Sequence, residues 1–204
     1  IGSYLSGGMD SGSVTSVAAR NFQNLKTFTC GFDLSSASGL ELGFDERTKA
    51  EYLSNIYKTE HYEVVLKAGD MERVMHQLIW HLEDLRVGQS YPNFYVSRLA
   101  SKFVKVILSG SGGDELFAGY PWRYYRAVVN DDRDHYIQKY YRYWQRLIPD
   151  SYKPKFYSSP VYSQIKKHET IDAFRNVLRN KADSSISAEE YVNLSLYFEI
   201  KTFM

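Results

Sequence analysis

Short apolar runs alternate with helix-spaced apolar positions along the first part of the chain. Ile1–Leu5 reads as a strand, and Val14, Val17, Ala18 and Phe22 mark one face of a helix over Gly12–Phe22. Leu25–Phe32 is a β-prone run closing at a glycine, and Asp33–Gly43 is a polar loop rich in serine and glycine. Asp45 is placed to cap a helix reaching Tyr57, with Ala50, Leu53 and Tyr57 on one face. His61–Leu66 predicts a third strand. Asp70 caps a helix through Val74, Leu78 and His81, and Tyr95, Leu99 and Phe103 mark another. Lys102–Leu108 predicts a fourth strand. Past Tyr120 no strand pattern remains, and helical spacing recurs over Tyr136–Leu147, Ile171–Leu178 and Ala188–Phe203. The alternation predicts an α/β fold: an open, mainly parallel sheet of about five strands with helices on both faces. The division follows as an α/β core over 1–120 and a helical extension over 121–204.

Two predicted strands run into glycine-rich loops. The first loop, Ser6-Gly7-Gly8-Met9-Asp10-Ser11, opens a helix, where unpaired N–H groups and the macrodipole favour an anion. Gly7 and Gly8 permit a positive φ and a close approach of phosphate to the backbone. Ser6 and Ser11 add hydroxyls. No Gly-Lys-Ser/Thr occurs in the chain, so this is not a Walker A loop. It carries Asp10 instead, and a carboxylate beside a polyphosphate calls for a cation between them, most naturally Mg²⁺. The same stretch also reads as a tight turn with Asp10 and Ser11 capping the helix. In the second loop, Ser109-Gly110-Ser111-Gly112-Gly113-Asp114-Glu115, the third glycine of a dinucleotide fingerprint is replaced by Glu115. Asp114 reads both as a first-turn acid and as a metal ligand. If the first and fourth strands are neighbours at the point where strand order reverses, both loops face one crevice. Asp10 and Asp114 then converge on one metal–pyrophosphate site.

Composition narrows the partners. A net charge of +1 supplies no broad field for nucleic acid or an anionic membrane. The tyrosine- and arginine-rich stretch Trp122–Tyr157 is interleaved with Asp131, Asp132 and Asp134, which favours helix packing over base stacking. The single cysteine, Cys30, excludes an internal disulfide and fits a reducing, cytoplasmic setting. It has no basic sequence neighbour to activate it as a nucleophile. No apolar run approaches the ~20 residues of a membrane span, and no signal peptide is visible. The chain opens on Ile1 inside a strand pattern and reads as a piece of a longer protein.

Ser6-Gly7-Gly8-Met9-Asp10-Ser11 resembles the pyrophosphate loop of the ATP pyrophosphatases, which cleave ATP to AMP and pyrophosphate while adenylating a substrate. Leu108–Tyr120 resembles the signature of the synthetase domain of glutamine-hydrolysing asparagine synthetases. The resemblance implies an adenine nucleotide alpha hydrolase-like fold, with ATP and Mg²⁺ as ligands. It places Tyr4, Leu5, Cys30, Ser109 and Gly110 around the nucleotide. Ser6, Gly7, Gly8, Asp10 and Ser11 hold the pyrophosphate, and Asp10 and Asp114 hold the metal. It further implies aspartate or a related carboxylate as substrate, with ammonia from an N-terminal glutaminase domain absent from this chain. The family's further substrate-contacting stretch, beyond the helix that Glu190–Met204 resembles, is absent as well. The loop Glu83–Pro92 matches the region that helps hold the amino acid. Ser111 departs from the family, which carries an acid there implicated in adenylation, and no catalytic residue is assigned. Two other readings stay open: a relative that adenylates another carboxylate, such as a β-lactam synthetase-like enzyme, and a nucleotide-binding module without catalysis.

Overall fold

In the central strand, Thr27 and Phe28 point to opposite faces of the sheet, and the two faces are built from different kinds of residue. The computed structural model describes residues 1–36, 43, 45–83, 90–128, 132–145, 148–178 and 187–203. They form two compact units, Ile1–Ser111 and Gly112–Met204.

The first unit holds a four-stranded sheet of β1 (Gly2–Tyr4), β2 (Lys26–Phe32), β3 (Glu60–Leu66) and β4 (Ile107–Leu108), in the order β3-β2-β1-β4. All pairings are parallel, with Gly2 opposite both Lys26 and Ile107, and Thr27 opposite His61. The helices are α1 (Met9–Asn21), α2 (Arg47–Tyr57), α3 (Asp70–Leu82) and α4 (Ser90–Ala100). On one face, Phe28 packs on Val96 and Ala100 of α4, while Phe32 and Leu66 pack on Val74 and Leu78 of α3. On the other face the residues are small and polar. Ser3 Oγ meets Thr15 Oγ1 of α1 at 2.9 Å, and the stem of Arg47 on α2 covers Gly31. Helices therefore cover both faces of a parallel sheet, as the alternating pattern requires.

The described residues contribute four strands where about five were expected. The predicted strand Lys102–Leu108 is short because α4 ends at Ala100. Lys102, Phe103 and Val104 bond back to Leu99 and Ala100 in a turn, so Phe103 leaves the helix and stacks on Tyr62 with ring centroids 4.1 Å apart. Asp45 stands one residue before the N-cap of α2, Glu46, yet its carboxylate accepts from the backbone N–H of Arg47 (3.4 Å), the first helical residue. It also grips the Arg47 guanidinium from Nε (2.9 Å) and Nη2 (2.7 Å). Asp70 is the first residue of α3 and accepts from the backbone N–H of Lys67 (2.7 Å).

The second unit comprises α5 (Gly113–Phe117), α6 (Pro121–Val128), α7 (Arg133–Trp144), a 3₁₀ turn (Asp150–Tyr152), α8 (Lys153–Phe156), α9 (Ser159–Ile165), α10 (Thr170–Leu178) and α11 (Ala188–Phe203). Asp132 caps α7 by accepting from the N–H of His135 (2.8 Å). Ser187 and Glu190 form a reciprocal capping box before α11. The core joins Tyr136, Tyr140, Phe174, Leu178, Tyr191, Leu194 and Phe198. At its centre the carboxylate of Glu199 is fully buried. It accepts from Arg123 Nη1 (3.0 Å), Tyr140 Oη (2.9 Å) and Tyr124 Oη (3.4 Å).

Candidate active site

Strand order reverses at β1: β2 and β3 extend to one side, and β4 pairs on the other. The carboxyl ends of β1 and β4 are therefore the switch point where open α/β sheets bind ligands. Both glycine loops begin there.

The first loop leaves β1 through Leu5, which is buried. Leu5 donates its N–H to Phe28 O (3.0 Å), and its carbonyl accepts from the Thr29 hydroxyl. Ser11 ties the loop together from inside. Its Oγ accepts from the N–H of Ser6 (3.0 Å) and lies 2.8 Å from Ser6 Oγ, which accepts from the N–H of Gly8 (3.1 Å). Gly8 is the N-cap of α1 with no side-chain cap, so Asp10 and Ser11 do not serve as caps. The N–H groups of the first helical turn thus have no side-chain acceptor. Gly8 is extended, with φ at −81°, and Gly7 is not among the positive-φ glycines, so left-handed backbone is not why glycine stands here. Space is the reason at Gly7. A Cβ there would lie 2.5 Å from both Cβ and Cδ of Lys49, whose stem crosses the loop from α2.

The second loop meets the first through backbone. A Cβ on Gly110 would lie 2.5 Å from Ser11 N and 2.8 Å from Asp10 C, so only glycine fits. The expectation that strands one and four bring the two loops together holds at this contact. Ser109 Oγ accepts from the N–H of Ser111 (3.1 Å) and lies 2.8 Å from Ser111 Oγ, and both serines are exposed.

Other predicted site residues are spread along the same strand ends. Tyr4 Oη lies 2.7 Å from Ser97 Oγ on α4. Cys30 sits in β2 opposite Val64, half-buried among the aromatic clusters. Burial, aided by the charge of Asp45, pushes its thiol up to about 12, so it stays neutral and is not an activated nucleophile. Asp10 is half-buried in the first turn of α1 and takes part in no ion pair among the described residues. Asp114 belongs to the second unit, on α5, which Gly112 opens with φ at +98°. Its carboxylate accepts from the Tyr120 phenol; burial first and this bond second push that phenol up to about 12. Of the loop Glu83–Pro92, residues 84–89 lie outside the described residues. Glu83 ends α3 with φ at 52°, and Tyr91 is buried in α4. Among the described residues no group of three or more His, Cys, Asp or Glu side chains converges on a metal position. No helix among them is long and apolar enough to cross a membrane.

Three contacts were not legible in the sequence: Lys49 over Gly7, Tyr120 on Asp114, and Ser97 on Tyr4. Each reaches beyond a single element, and only the Tyr120 contact is near enough in sequence for a local motif to have suggested it.

The asparagine synthase family model matches residues 1–204. The glutamine-hydrolyzing asparagine synthetase 1 of Bacillus subtilis is 36% identical over 121 residues, covering 59% of this chain and 18% of that protein. That of Sandersonia aurantiaca is 35% identical over 140 residues, with 66% and 26% covered. Asparagine synthetase 3 of Arabidopsis thaliana is 34% identical over 148 residues, with 66% and 24% covered. The chain thus spans about a fifth to a quarter of the length of the curated relatives it matches.

Proposed function

The chain belongs to the asparagine synthase family, and on that premise we propose that it is the ATP-binding, amide-forming part of an ATP-dependent carbon–nitrogen ligase acting on the side-chain carboxylate of aspartate. A carboxylate oxygen attacks the α-phosphorus of ATP, the bond to the bridging oxygen breaks, and pyrophosphate leaves. Ammonia then attacks the acyl carbon of the mixed anhydride. AMP departs with the bonding electrons, and the nitrogen sheds a proton to give the amide.

The observation that carries this reading is the backbone contact of Gly110 with Asp10 and Ser11, which joins two phosphate-type loops at the switch point. The uncapped N–H groups of α1 and the hydroxyls of Ser6 and Ser11 hold the pyrophosphate part. Tyr4, Leu5, Cys30, Ser109 and Gly110 line the nucleotide. Asp10 and Asp114 would hold Mg²⁺, Asp114 following four residues after Gly110. The fit rests on Asp10, a half-buried carboxylate outside any described ion pair. Few protein ligands with the rest from phosphate oxygens is the manner of magnesium. When bound, the metal offsets charge on the departing pyrophosphate.

Ammonia reaches this site from outside the chain. Its one cysteine is the neutral thiol of Cys30, and glutamine hydrolysis belongs to another part of the protein, as the relatives' names suggest. A reducing cytoplasm suits both the thiol and the ATP requirement. Ser111 favours a second reading: its hydroxyl is engaged with Ser109 and offers no base near neutral pH, which suits a relative adenylating a different carboxylate.

Pyrophosphate release from MgATP with ammonia and a panel of carboxylates tests the reading. Release that depends on aspartate supports it. Release that depends on another carboxylate selects the second reading, and ATP binding without any release leaves a binding module.

A further inference from the structure

Lys49 stands where helix stability gives no reason for it. It is the third residue of α2, whose first turn carries no acid, so it sits at the positive end of the helix dipole. Its neighbour Arg47 is compensated, gripped by Asp45 and donating from Nη2 to Phe32 O (2.9 Å). Lys49 has no ion-pair partner among the described residues, and it is exposed. Its stem nevertheless lies over the first loop. Cβ and Cδ come within 2.5 Å of the position a Gly7 side chain would take, which leaves the ammonium two bonds beyond Cδ at the margin of the loop. α1 and α2 hold this register through Gly12, whose Cβ position lies 3.6 Å from Leu53 Cδ1.

We propose that Lys49 binds the pyrophosphate part of ATP, supplying from α2 the cation that the loop's own sequence lacks. The inference rests on the nucleotide reading above and adds a residue to it. A flexible stem ending in a compact charge suits a polyphosphate, whose charge is spread over several oxygens. The leaving pyrophosphate gains charge as the α-phosphorus bond breaks, so Lys49 contributes more in the transition state than in the bound ground state. Gly7 is then glycine partly because this side chain passes over it.

Lys49→Met keeps an apolar stem over Gly7 and removes only the charge. Lys49→Arg keeps the charge. Calorimetric binding of MgATP, inorganic pyrophosphate and adenosine to the protein and both variants is the test. Loss of one charge-assisted hydrogen bond predicts about tenfold weaker binding of MgATP and pyrophosphate in Lys49→Met. Adenosine binding changes less than about twofold and Lys49→Arg recovers most of the loss. The melting temperature of Lys49→Met stays level or rises, because a cation leaves the positive end of a helix. Unchanged MgATP and pyrophosphate binding in Lys49→Met overturns the role of Lys49 and leaves the nucleotide reading standing. Equal losses for adenosine and pyrophosphate also overturn it, pointing to a structural part. No MgATP or pyrophosphate binding by the unmodified protein overturns the nucleotide reading itself and Lys49 with it.

Discussion

The sheet unit and the helical unit bury polar groups for different ends. Apart from Tyr91, the buried hydroxyls of Ile1–Ser111 are small: Ser3, Ser11, Thr15, Thr27, Thr29 and Ser54. They lie on the α1–α2 side of the sheet or in the first loop, and short side chains there let backbone come close to backbone. In Gly112–Met204 the buried hydroxyls are mostly phenols, with Tyr124, Tyr136 and Tyr140 gathered about Glu199 and Ser195. There the polar groups fix which helix faces meet within an aromatic core. One arrangement shapes a backbone cradle, and the other locks helices that have little aliphatic patterning to align them.

Removing the centre of the phenol network gives the largest expected effect. Glu199→Ala leaves Arg123 and two phenols without their shared acceptor, and loss of one partner of a buried pair costs about 3–5 kcal/mol. Chemical denaturation followed by tyrosine fluorescence measures it, and a loss below about 1 kcal/mol, the worth of an exposed pair, would remove Glu199 from its organising place.

Alkali sharpens the same comparison. Burial raises the phenols of Tyr136 and Tyr140 above their ordinary range, and that of Tyr141 to about 12. The unfolded chain releases these protons from about pH 10, so above that pH the unfolded state binds fewer protons and stability falls as pH rises. Each fully buried tyrosine contributes a slope of about 1.4 kcal/mol per pH unit. Thermal melts from pH 9 to 12 should therefore show steep loss in the helical unit beginning near pH 10. A flat profile across that window would contradict the buried phenol core.

In the sheet unit, Gly110→Ala drives a methyl group into the backbone at Asp10–Ser11 and is expected to cost about 1–3 kcal/mol as overpacking. MgATP affinity should fall with it; equilibrium denaturation and calorimetry on one preparation separate the two. Thr15→Val removes the bond to Ser3, whose buried hydroxyl keeps only a 3.3 Å bond to the carbonyl of Tyr4, for about 1 kcal/mol. The smallest effect is chemical: Cys30 should react with a thiol reagent at pH 8 no faster in the native protein than local opening permits, because its thiol is pushed up to about 12.

The two units also differ in what the chain reveals. The sheet unit was legible because β2 and β3 keep apolar runs, and because both glycine loops follow such runs. The neighbouring of β1 and β4 could be posed from the sequence as a condition, and the pairing of Gly2 with Ile107 meets it. β4 shrank because turn bonds after Ala100 outcompete the β-prone pattern of Lys102–Val106. Gly7 misled in its reason, since the constraint comes from a lysine on another helix rather than from backbone angle. The helical unit was legible as helical but not as packed. Tyrosine serves as both polar and apolar residue, so a face built from Tyr136, Tyr140 and Tyr141 gives no clean apolar stripe. The burial of Glu199 has no local signal, because its partners come from α6 and α7, far off in sequence.

The central proposal is that the two glycine loops serve one metal–pyrophosphate site. The direct measurement is a double-mutant cycle on MgATP affinity with Asp10→Ala, Asp114→Ala and the pair together. Two ligands of one ion couple strongly, so the account predicts that the double variant loses little more affinity than either single variant. Losses that simply add would show two independent sites and contradict it.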